Sequence, residues 1–148
     1  MDEILQLREF IETQRYHDAL LLIGEMEEMA KEDKTNKLYS FSVILLIHLI
    51  KQHAEKHTTR SWDASIYNSL KHIAKTNKRK HSGGYYITDG EWDEVLNDAF
   101  DEALQTAALE AFSGSFTPKE LLTKFDQEAV TREAKMRILE RQSTLSRN

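Results

Sequence analysis

Tyr39-Ser40-Phe41-Ser42-Val43-Ile44-Leu45-Leu46-Ile47-His48-Leu49-Ile50-Lys51-Gln52-His53 decides how this chain folds. At 100° per residue, Tyr39, Val43, Leu49, Ile50 and His53 lie within about 60° of Leu46. Phe41, Ile44 and His48 point to the other side. A helix apolar on both sides is a central one, covered by neighbours all round. The stretch predicts a central helix, roughly 36–56, in the middle of a bundle. Its longest apolar run is Val43–Ile47, far short of the ~20 residues a bilayer span needs.

The flanking segments read as helices too. Ile4, Leu7, Phe10 and Ile11 predict a short amphipathic helix over 3–14. Ala19, Leu22, Ile23, Met26, Met29 and Ala30 predict a second, with Gly24 as a place for close helix approach. The polar run Lys31–Lys37 predicts a turn before the central helix. After it, Ser61 is the expected N-cap of a helix carrying Trp62, Ile66, Leu70 and Ile73, with Asp63 in its first turn. Ser82-Gly83-Gly84-Tyr85-Tyr86 reads as a loop, without the spacing of a phosphate cradle. Thr88-Asp89-Gly90-Glu91 has capping-box spacing and opens a helix over about 89–112. Gly114 supplies a stop. Thr117-Pro118-Lys119-Glu120 is a second capping box, with Pro at the first helical position. A short helix and a last one over about 128–142 follow. The expectation is an all-α, single-domain bundle of six or seven helices over 1–142, without significant β-sheet, and a frayed tail over 143–148.

Composition agrees. The chain has 148 residues, one Pro, five Gly and no Cys. No Cys excludes a disulfide framework and thiolate metal sites. Few turn residues argue against a sandwich or barrel. The N-terminus is acidic and lacks an export signal, so the expected compartment is the cytoplasm, with no membrane partner. The net charge of −5 hides a pattern. Residues 1–33 hold ten acids and three bases, 51–81 eight bases and two acids, and 82–128 eleven acids and two bases. Such bands suit charge complementarity within or between chains.

The search for chemistry gives little. There is no thiol nucleophile, no G-x-S-x-G elbow, no Glu-x-x-His and no H-E-x-x-H. No catalytic residue, metal site or cofactor is expected. Three candidates remain. His48 interrupts the apolar run and, if buried, needs a polar partner, for which Glu25 and Glu27 are available. The segment Lys71, Lys75, Lys78, Arg79 and Lys80, followed by Tyr85 and Tyr86, combines phosphate-binding charge with stacking rings and suggests nucleic-acid contacts. An apolar helix face suits a homo-oligomer or another protein partner.

Glu25-Met26-Glu27-Glu28-Met29, Leu45-Leu46-Ile47-His48-Leu49-Ile50-Lys51 and Arg60-Ser61-Trp62 followed by Ile66 resemble the bacterial domain-of-unknown-function family 29, especially its cyanobacterial members. The resemblance covers the middle third best. Gln52 replaces an aromatic common in the family, and the Pro common before the Arg-Ser-Trp start is missing. The resemblance implies a helical fold and no known activity. It also implies that Glu25, Glu27, His48, Arg60 and Trp62 act as a group, as a buried network or the floor of a pocket. The leading expectation is a non-catalytic interaction or self-associating module. The alternatives are a nucleic-acid-associated protein, and a small-molecule or metal-binding enzyme centred on His48, Glu27 and Arg60.

Overall fold

A computed structural model describes residues 2–81 and 83–147, with side chains as far as 144. Met1, Ser82 of the expected loop and Asn148 of the expected tail lie outside the described residues. Six helices form the fold: α1 (Glu3–Glu12), α2 (Tyr16–Glu55), α3 (Arg60–Asn77), α4 (Trp92–Glu110), α5 (Pro118–Leu121) and α6 (Gln127–Arg147). A lone antiparallel bridge, Lys78 with Tyr85, is the β-type pairing seen among the described residues.

The largest correction concerns α2. The expected turn at Lys31–Lys37 is helical, and α2 is one helix of 40 residues, about 60 Å long. The segment is polar but holds no Gly or Pro to break it. Local bonds hold it, with Lys37 Nζ 3.5 Å from Asp33 and Thr35 Oγ1 donating to the Glu32 carbonyl at 3.0 Å. Gly24 does not serve close packing, since a Cβ there would meet nothing within 4 Å.

The body of the molecule is built on residues 38–55 of α2. Leu38, Leu45, Leu46, Leu49 and Ile50 are fully buried there. α3 packs on one side and α4 on the other, as the two-sided pattern requires. Phe41 stacks on His72 of α3 at 5.1 Å, while Tyr39 Oη donates to the Asp98 carbonyl of α4 at 3.4 Å. The cover is incomplete, since Ile44 stays 40% exposed. α6 closes the body against α3, α2 and α4, with Val130, Ala134 and Ile138 buried. It runs to Arg147, beyond the expected end at 142.

Turn chemistry fixes the corners. Thr59, not Ser61, caps α3, its Oγ1 accepting from the Trp62 N–H at 3.1 Å. The second capping box is formed as expected, with the Thr117 N–H donating to Glu120 Oε1 at 3.0 Å and the Glu120 N–H to Thr117 Oγ1 at 3.2 Å. Buried Asn77 ties the glycine loop down. Its side chain bonds both the N–H and the carbonyl of Ile87 and donates to Gln142 Oε1 of α6 at 2.7 Å.

The other half of α2 leaves the body. With α1 it forms an arm, a helical hairpin in which only Ala19 and Leu22 are buried, both outside the main core cluster. α1 packs against α2 and buries none of its residues. The whole chain exposes 9579 Å². A compact chain of this mass exposes roughly 7,800 Å², and the excess fits a projecting hairpin.

Candidate functional site

Three groups of side chains were singled out by sequence, and the structure separates them. Glu25 and Glu27 lie on the arm, exposed, while His48 lies in the body. All three share one continuous helix, so 21 to 23 residues of rise put His48 roughly 32–35 Å from the two glutamates. One network therefore does not hold them together. His48 instead uses its own helix, its Nδ1 lying 2.8 Å from the Ile44 carbonyl oxygen. That bond satisfies a half-buried ring without any partner helix. Arg60 is exposed at the first turn of α3, with no ion pair among the described residues.

Trp62 does join a polar cluster, but with other partners. α2 ends at Glu55, and Lys56, at φ 59, turns the chain sharply into α3. The turn brings Trp62 back over Lys51, whose Nζ lies 4.7 Å from the ring centroid. The same ammonium donates to Glu110 Oε1 at 2.9 Å. The Lys51 side chain is 6% exposed, so its charge depends on these two neighbours. His57 also packs against Trp62, with ring centroids 5.2 Å apart. Its Nε2 is 3.1 Å from Glu55 Oε1, and this hydrogen bond is the main reason its pKa is raised. The second oxygen of Glu55 accepts the Phe112 N–H at 3.2 Å. Phe112 and Ser113 are left-handed, at φ 51 and 56, a conformation that costs non-glycine residues about 1–2 kcal/mol each. Glu55 helps hold that kink at the end of α4.

Further along, His53 Nε2 sits 2.9 Å from Glu133 Oε1, and Arg137 Nε 3.1 Å from Glu133 Oε2. Lys51, His53, Glu55, His57, Glu110 and Glu133 thus all have partners within the fold. Such a cluster pins the end of α2 to α3, α4 and α6. No group of three or more His, Cys, Asp or Glu is placed to hold a metal ion among the described residues. The Lys51–Glu110, His53–Glu133 and Glu55–Phe112 contacts join residues 57 to 80 positions apart and had no sequence signal.

In the basic segment, Lys71, Lys75, Lys78 and Lys80 are exposed. Arg79 and Tyr86 are engaged with each other, the guanidinium carbon 5.2 Å from the ring centroid, and Tyr86 packs against the core. Tyr85 is half-buried and bridged to Lys78. The Tyr86 ring is thus used inside the fold rather than offered as a stacking platform.

The arm carries what the sequence expectations missed. Ile4, Leu5, Ile11, Tyr16, Leu20, Leu21 and Met29 are between 49% and 67% exposed. Leu20 and Leu21 lie beside the stripe of Ala19, Leu22, Ile23 and Met26, so one packed face does not account for them. That surplus was the available signal. Single exposed apolar residues are ordinary, but seven on a hairpin of this size mark a surface suited to contact.

No curated protein and no solved structure matches this chain. A family model described as "Domain of unknown function DUF29" matches residues 4–133. The match takes in arm and body together, from the first turn of α1 into α6, and the chain belongs to the DUF29 family.

Proposed function

We propose that this protein is a cytoplasmic, non-catalytic helical interaction module, whose body is a rigid base and whose arm docks on another polypeptide. One observation carries this reading: the arm exposes Ile4, Leu5, Ile11, Tyr16, Leu20, Leu21 and Met29 while burying two residues of its own. Folding gains little from these side chains, so their surface is free to drive association. No helix among the described residues is long and apolar enough to cross a membrane. The saturated polar cluster around Lys51 and Glu55 supports a non-catalytic role.

The test is a variant with Leu5, Leu20, Leu21 and Met29 all changed to Ser. Its melting temperature is expected to stay close to that of the parent chain. Any association, with itself by sedimentation or with a protein retained from cell extract, is expected to disappear. Association equal to the parent's in this variant would discard the arm as the docking element.

A further inference from the structure

The arm and the α3 segment carry stripes of opposite charge and equal length in residues. On the arm, Leu21, Glu25, Glu28 and Glu32 follow one another along one side of α2, and all four are exposed. On α3, Tyr67, Lys71 and Lys75 do the same within about 80° of arc, and Lys78 follows at the extended residue that ends the helix; all four are exposed. Each stripe spans eleven residue-to-residue steps, about 16 Å at helical rise. Each begins with a large apolar residue, Leu21 at 57% and Tyr67 at 55% exposure. Laid parallel, Leu21 meets Tyr67 and the three glutamates meet the three lysines. None of the six charged residues has an ion pair among the described residues.

These stripes do not meet within one molecule. Between the arm and the body α2 is a single helix without a break, so the arm does not fold back. The arm stripe also continues the side of α2 that Tyr39 presents to α4, whereas α3 lies on the side of Phe41. The acidic stripe thus lies on the α4 side of α2, and the basic stripe belongs to the helix packed on its other side. A contact between two arms would set acid against acid, since residues 1–33 hold ten acids and three bases.

We infer that the occupant of the arm is a second copy of this chain, with the Leu21–Glu32 stripe of one copy lying parallel on the Tyr67–Lys78 stripe of the next. The inference rests on the arm being a docking element and names its partner. The contact is heterologous, running head to tail. Exposed ion pairs dominate it, so it is weak and sensitive to salt.

Sedimentation of the full chain tests this. At low salt the average mass is expected to rise with concentration above 17.2 kDa, and to return to the monomer near 0.5 M salt. Glu25→Lys, Glu28→Lys and Glu32→Lys together should abolish association, as should Lys71→Glu, Lys75→Glu and Lys78→Glu together. All six side chains are exposed, so both variants should fold, which circular dichroism verifies. Mixing the two variants should restore association, because the basic arm of one then faces the acidic α3 of the other. A mixture that stays monomeric overturns the inference. So does association that persists at high salt and in the arm variant, which would point to arm-on-arm apolar packing. A parent chain that is monomeric at low salt but retains single-stranded RNA through the three lysines overturns it as well. If the parent is monomeric while the serine variant still loses a different protein, the second copy is wrong and the docking arm survives. If the serine variant loses nothing, both fall.

Discussion

α2 belongs to two regions at once, and the regions obey different rules. From Leu38 to Ala54 it is buried on two sides, and its helix is held by packing. From Tyr16 to Lys37 it buries Ala19 and Leu22, leaves Asp18, Ile23, Met26, Lys34 and Thr35 half-buried, and is otherwise exposed. There the helix rests on local pairs, such as Arg15 with Asp18 at 2.8 Å and Lys37 with Asp33 at 3.5 Å, and on α1. Such pairs are worth a few tenths of a kcal/mol each, against several for a buried large side chain. The body is a core that happens to contain a helix. The arm is a surface that happens to be helical.

The sharpest way to break this contrast is to remove matched apolar side chains. In the body, Trp92 is fully buried, and Trp92→Ala should lower unfolding free energy by about 3–5 kcal/mol in denaturant titration. A loss under 1 kcal/mol would mean the core is not where the structure puts it. Asn77→Ala should come next. It leaves the N–H and carbonyl of Ile87 and the Gln142 side chain short of partners, at about 1–3 kcal/mol for a buried group left unsatisfied. Leu20→Ala, on the arm at 67% exposure, should cost no more than about 0.5 kcal/mol in dilute monomer. A cost near that of Trp92→Ala would merge arm and body into one cooperative unit.

Legibility in the sequence followed the same division. The two-sided period of Tyr39–His53 announced the body, because burial on two faces leaves a mark at every third and fourth residue. Thr117-Pro118-Lys119-Glu120 announced its corner, because a cap needs particular atoms at fixed spacing. Continuity through Lys31–Lys37 was hidden, because an exposed helix needs only the absence of breakers. The functional residues were harder still. Glu25, Glu27 and His48 were grouped through family resemblance, yet one unbroken helix holds them apart. The pairs Lys51–Glu110 and His53–Glu133 depend on which helices meet. Spacing along the chain does not carry that information.

The smallest expected effects are electrostatic. The Glu91 pKa is lowered by hydrogen bonds from the Thr88 hydroxyl and then from the Thr88 N–H. For Glu120 the order is reversed, with the Thr117 N–H ahead of the hydroxyl. A lowered folded pKa makes the contribution complete above the ordinary glutamate range and lost as pH falls through the folded value. His57 has the opposite sign. Its pKa is raised, chiefly by the hydrogen bond with Glu55, so its contribution is present below the ordinary imidazole range and lost as pH rises through the folded value. NMR titration of these three groups checks both directions. An unshifted Glu91 or Glu120 would mean the capping boxes open in solution, and an unshifted His57 would mean the Glu55 contact does.

The unbroken course of α2 has a consequence for motion. Amide hydrogens at its two ends sit in identical backbone geometry but under different protection. Those from about 38 to 54 are released only when the body opens, while those from about 20 to 30 need only the arm to fray. One helix thereby becomes its own ruler, along which deuterium uptake should climb steadily from the buried end to the free one. Whatever seats itself on the arm will announce its footprint by flattening that slope.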